Sequence, residues 1–221
     1  MLKQKSSGLL SFAQNLYFQD IGNKFKPGTL KRFNSLLFIL FEKVVINFDI
    51  FLFAYINFYK LLVSEEIKLA NISSNDSILV IGCGAIPSSC ILLTQETEAK
   101  ITGIDIDKKA LKKDTNLINK LNLEKNIKID KGNGAEYQVK NYDIIMILYG
   151  VKNLIKIFNH LSKYMKDHAR VIIRASESFN PENIELKTIL SKHFKQENKL
   201  LTKSFGTLNL YLFKRFRSSN Y

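Results

Sequence analysis

Two apolar rhythms divide the chain. Residues 36–63 are the most apolar stretch, interrupted by Glu42, Lys43, Asp49 and Lys60. At about 100° per residue, Glu42, Asp49 and Lys60 fall on one line of a helix, which predicts one or two helices packed on a globular core with a narrow wet stripe. The longest uncharged run there, Ile50–Tyr59, is ten residues. A membrane span needs roughly 20, so no transmembrane span is expected, while contact with a membrane surface stays open. The polar run Asn71-Ile72-Ser73-Ser74-Asn75 then marks a boundary, giving an N-terminal helical region over 1–74 and a second domain over 75–221.

Past that boundary, short β-rich apolar runs at 77–82, 100–105, 126–130, 142–148 and 169–175 alternate with helix-like stretches. The helical stretches are 87–95, 108–121, a short piece near Ala135, and 152–166. This order predicts an α/β fold, a mostly parallel, doubly wound sheet of Rossmann-like type with right-handed crossovers. After a helix near 181–196, the runs 200–205 and 207–214, parted by Gly206, read as an antiparallel C-terminal hairpin.

Composition narrows the classes. An apolar fraction of 46% in 221 residues suffices for a full core, and two cysteines exclude a disulfide scaffold and fit a reducing, cytoplasmic setting. The net charge of +13 suggests an anionic polymer as partner. It is unevenly placed: residues 1–34 carry +5, residues 187–221 carry +7, and the middle is almost neutral. A nucleic-acid partner is therefore possible but not favoured.

The chemistry concentrates at strand ends. Gly82-Cys83-Gly84-Ala85-Ile86-Pro87 carries a buried strand through a tight turn into a helix. Its glycines permit close approach of a ligand, and Pro87 suits a helix start. A third glycine, needed for tight pyrophosphate binding, is absent, so the ligand expected lacks phosphate. Asp105, with Ile106 beside it, ends the second strand, where a carboxylate can accept both ribose hydroxyls of an adenosine. Gly132-Asn133 follows the third strand, where an amide can read an adenine edge. Cys83 and Cys90 have no zinc-type spacing, so no metal is expected. No Ser/His/Asp or Cys/His grouping suggests hydrolysis.

With these residues in place, 77–175 resembles a class I methyltransferase domain that binds S-adenosyl-L-methionine. The loop 82–87 is similar to the G-x-G-P-L-P loop of nicotianamine synthases and related opine-metallophore synthases, although Ala85 stands where that family prefers proline. The run Arg170–Ser176 looks like their fifth strand. The resemblance implies transfer to a small-molecule acceptor, leaning to the aminocarboxypropyl group. It further implies that a glutamate and a tyrosine of the helical region handle the acceptor amine. Glu42 and Tyr59 match those local contexts. Tyr149 at a strand end joins them as a catalytic candidate, with Tyr55 and Arg174 as substrate-binding candidates. Methyl transfer to a small molecule is the alternative, followed by methylation of RNA or protein. A non-enzymatic cofactor-binding or membrane-associated module is the remaining class.

Overall fold

A computed structural model of the chain describes residues 49–176, 184–202 and 207–214. The chain divides into two compact units, Met1–Phe58 and Tyr59–Tyr221. In the first, the described part is a single helix, α1 (Asp49–Phe58). The expected site residue Glu42 lies outside the described residues.

The second unit is built on a seven-stranded sheet of order β3-β2-β1-β4-β5-β7-β6. Its strands are β1 (Ser77–Ile81), β2 (Lys100–Asp105), β3 (Ile127–Lys131), β4 (Ile144–Ile147), β5 (Arg170–Ser176), β6 (Phe194–Thr202) and β7 (Thr207–Lys214). The first five are mutually parallel. β7 lies antiparallel between β5 and β6. The helices of this unit are α2 (Lys60–Ala70), α3 (Ser88–Thr97), α4 (Lys108–Lys120), α5 (Leu154–Tyr164) and α6 (Ile184–His193). The expected doubly wound architecture with its antiparallel hairpin is thus present.

The central strands are apolar throughout because both faces are covered, so Ile78–Ile81 and Ile144–Ile147 are continuous buried runs. β5 separates the two faces by alternation. Val171, Ile173 and Ala175 join a core with Ile157, Phe158 and Leu161 of α5 and Leu186 and Ile189 of α6. Arg170 and Arg174, at alternate positions, reach the other way, to α2. Arg170 donates to the carbonyls of Ala70 (2.6 Å) and Asn71 (3.0 Å) at the end of α2 and is ion-paired with Asp76. Arg174 pairs with Glu66 in the middle of α2. A left-handed Asn71 then ends that helix.

Two expectations fail locally. The helix expected near 181–196 stops at His193, and β6 begins at once with Phe194 rather than near 200. Phe194 is 2% exposed and meets Phe158 edge to face at 5.2 Å. That anchor draws the polar run behind it into an exposed edge strand. Near Ala135 there is a turn instead of a helix. The Asn133 side chain accepts from Ala135 N at 3.1 Å and its carbonyl accepts from Glu136 N and Tyr137 N, a capped single turn that goes no further. Among the described residues, no helix is long and apolar enough to cross a membrane.

Candidate functional site

The strand order reverses between β1 and β4, and in open α/β sheets the crevice beyond the carboxyl ends at that reversal is where ligands bind. The loop 82–87 leaves β1 there. Gly82 N and Cys83 N both donate to Ile104 O, at 2.8 and 3.2 Å, and so draw the loop against β2. Gly82 has φ +83°, and a Cβ on it would come within 2.5 Å of Val151 Cγ2, in the loop after β4. Position 82 therefore excludes a side chain twice, by backbone conformation and by space. Gly84 has φ +71°, yet a Cβ there would meet nothing within 4 Å. Its open face looks away from the protein packing.

Asp105 ends β2 beside this loop. One carboxylate oxygen accepts from Gly84 N at 3.0 Å and the other from Asp107 N at 2.9 Å. Each oxygen of an ionised carboxylate has about two acceptor sites, so the group is aimed by two backbone bonds with capacity to spare. Gly132 N donates to Asp105 O at 3.0 Å, which brings the Gly132-Asn133 segment to the same edge. Asn133 is exposed, and its Oδ1 is taken by Ala135 N. Ile106 and Tyr149, 72% and 69% exposed, stand after β2 and β4 respectively. Ala85 is half-buried, whereas Ile86 and Pro87 are buried and lead into α3, for which Pro87 is the N-cap.

The structure thus gathers Gly82, Cys83, Gly84, Ala85, Ile86, Pro87, Asp105, Ile106, Gly132 and Asn133 at the carboxyl ends of β1–β3. Arg174 sits towards the carboxyl end of β5, where its guanidinium is held by Glu66 and Ser89. A substrate carboxylate would have to compete with Glu66 for it. Tyr59 is half-buried at the N-cap of α2, and its carbonyl accepts from Val63 N at 2.9 Å. Tyr55 lies on α1, in the first unit.

Three residues escaped the sequence reading: Glu66, Ser89 and Asp114. Glu66 is fully buried, on the same face of α2 as Leu62 and Ala70. Asp114 is fully buried on α4 beside Ala110, Leu117 and Ile118. In both cases a carboxylate at an i, i+4 step of an apolar stripe was the available signal. Cys83 Sγ lies 3.5 Å from Asp114 Oδ2. Burial, with the neighbouring Cys90 and the Asp114 and Asp105 carboxylates, pushes the Cys83 thiol well up; burial does the same for Cys90. Both are buried free thiols in an environment that disfavours thiolate. Among the described residues no group of three His, Cys, Asp or Glu could hold a metal ion.

These groups fit S-adenosyl-L-methionine. The open glycine face admits an adenosine-bearing ligand against the backbone, Asp105 offers acceptor sites for ribose hydroxyls, and no phosphate-binding third glycine is present.

The sequence profile described as "Methyltransferase domain" matches residues 72–213. No curated protein is similar in sequence. Among solved structures, MtNAS in complex with MTA and tNA superposes with a TM-score of 0.67 at 17% identity, over 80% of this chain and 69% of that one. A mutant of MtNAS in complex with S-adenosylmethionine covers 96% of this chain and 75% of its own, at 16% identity and TM-score 0.63. An RNA methyltransferase from Salinibacter ruber in complex with S-adenosyl-L-homocysteine covers 71% of this chain and 94% of its own, at 13% identity and TM-score 0.56.

Proposed function

The chain belongs to the methyltransferase-domain family of S-adenosylmethionine-dependent transferases, and on that premise we propose that it transfers the aminocarboxypropyl group to a small-molecule amine. The observation that carries this reading is the extent of likeness. Structures of MtNAS, a nicotianamine synthase, match over 80% and 96% of the chain, whereas the RNA methyltransferase matches over 71%. The similarity of loop 82–87 to the synthase loop supports it further.

When bound, S-adenosylmethionine supplies a sulfonium whose three attached carbons are all electrophilic, and either transfer releases a neutral thioether. The protein's task is alignment and proton removal. In this reading Asp105 accepts from the ribose hydroxyls, and the backbone of 82–87 and Ile106 enclose the donor. Gly132-Asn133 meets the adenine edge. Glu42 and Tyr59 orient the acceptor amine and take its proton, with Tyr149 at the mouth. Tyr55 and Arg174 serve the acceptor's other polar groups, Arg174 in competition with Glu66.

Incubation with S-adenosylmethionine and candidate amines, followed by mass spectrometry of the spent donor, tests the reading. Methylthioadenosine is expected. S-adenosylhomocysteine instead would replace it with methyl transfer, the reaction for which the family is named.

A further inference from the structure

Glu66 and Arg174 form an ion pair with side chains 0% and 6% exposed. The fork is two-pronged: Nε donates to Oε1 at 2.9 Å and Nη2 to Oε2 at 2.6 Å. The third prong, Nη1, donates to Ser89 Oγ at 3.0 Å. Three elements meet at this one guanidinium: α2, the carboxyl end of β5, and the first turn of α3.

Stability alone is a poor reason for such a pair. Replacing a buried ion pair by apolar side chains of similar volume is often neutral or stabilising, because the desolvation cost is removed with the attraction. Apolar side chains cannot hold a direction as a planar, bidentate fork does. Direction is what the neighbouring junction needs. The loop 82–87 passes straight into α3 with no side-chain cap at Pro87. At that junction Ser88 N donates to Ile86 O at 2.7 Å and Ile91 N to Pro87 O at 3.0 Å. Ser89 lies in that turn, and its hydroxyl is tied through Arg174 to a carboxylate on a different helix.

We propose that Glu66 is a positioning residue for the glycine loop, acting through Arg174 and Ser89. It fixes the first turn of α3 and hence the aim of the backbone that receives the donor. Because Tyr59 is the N-cap of α2, the same pair ties the helix that carries an acceptor-side candidate at its start to the loop on the donor side. The inference concerns cofactor binding and stands whichever group is transferred.

The test compares wild type with Glu66→Leu/Arg174→Met, Ser89→Ala and Arg174→Lys. Three quantities are read: melting temperature, calorimetric affinity for S-adenosylmethionine, and amide exchange across 82–97 in ligand-free protein. The double apolar variant should melt no lower than wild type while its loop exchanges faster and its affinity falls about tenfold, the scale of one or two hydrogen bonds. Arg174→Lys should not preserve wild-type behaviour, since an ammonium lacks the planar fork that meets Glu66 and Ser89 in fixed directions. Wild-type affinity and exchange in the double variant, or in Arg174→Lys, overturns the proposal. Should the double variant not fold, Ser89→Ala decides by itself, because it leaves the ion pair in place. Faster loop exchange with weaker binding supports the link, and unchanged values of both overturn it.

Discussion

Asp105 carries the most specific assignment of any single residue in the site. Its carboxylate is held by Gly84 N and Asp107 N and retains acceptor capacity. Asp105→Ala should weaken binding of S-adenosylmethionine by about 1–3 kcal/mol in calorimetry, the scale for lost charge-assisted bonds. Gly82→Ala should weaken binding as well, through strain at φ +83° and the approach of Val151. Adding Val151→Ala should recover only part, since it relieves the contact and not the dihedral. In a different direction, Thr94 Oγ1 is buried without a hydrogen-bond partner among the described residues. The near-isosteric Thr94→Val should therefore raise stability by about 1 kcal/mol in thermal denaturation. The placement of Gly82, Gly84 and Asp105 beside one another was legible in the sequence because strand ends place such residues one by one. Glu66 was hidden. Its partner Arg174 is 108 positions away, and Ser89, which shares that guanidinium, is 23 away; the apolar rhythm around Glu66 hints at burial without naming what compensates the charge.

Elements were legible where burial imposes an apolar run or an alternation, as in β1, β4 and β5, and illegible where it does not. β6 shows this plainly: its run of exposed positions from Lys195 to Lys199 has no strand signature, and only the insertion of Phe194 into the core fixes it. The start of β4 offers an element-scale prediction. Asp143 accepts from Ser77 N at 3.0 Å, Ser77 Oγ at 2.6 Å and Lys166 Nζ at 2.5 Å, and so joins β1, β4 and the turn after α5. Burial by itself would raise its pKa; the bonds to Lys166 and Ser77 outweigh that and hold it at about 2, against an ordinary 3.8. A depressed carboxylate contributes stability above its unfolded-state value and loses it as pH falls through the folded one. Asp143→Asn should thus cost about 1–2 kcal/mol at neutral pH, discounted because the side chain is a third exposed. The gap to wild type should close between about pH 4 and pH 2 in acid titrations followed by circular dichroism. A gap that persists at pH 2 would remove the charge from the explanation.

Across the whole molecule, the near-neutral charge of the middle segment, against +5 and +7 at the two ends, separates site chemistry from gross electrostatics. A ligand that binds only the folded state stabilises it by mass action, so S-adenosylmethionine at a hundred times its Kd should add about 2.7 kcal/mol. A thermal shift that grows with ligand concentration checks this, and no shift at any concentration would count against the cofactor. The RNA alternative makes a different demand, a steep fall of RNA affinity with salt. The proposed small-molecule function expects no salt-sensitive RNA complex on which catalysis depends.

The sheet is not assembled in the order in which it is synthesised. β7 is the last described strand along the chain, yet it sits between β5 and β6. Until it emerges, the Arg170–Ser176 edge, with Val171 and Ile173 at its centre, has no neighbour on that side. A nascent chain or a truncation ending before 207 would expose two open strand edges at once, the setting in which chains add to one another instead of closing on themselves. The hairpin that closes the sheet is thereby also what keeps unfinished copies from cohering. Chaperone dependence and inclusion-body formation should rise sharply for any form lacking it.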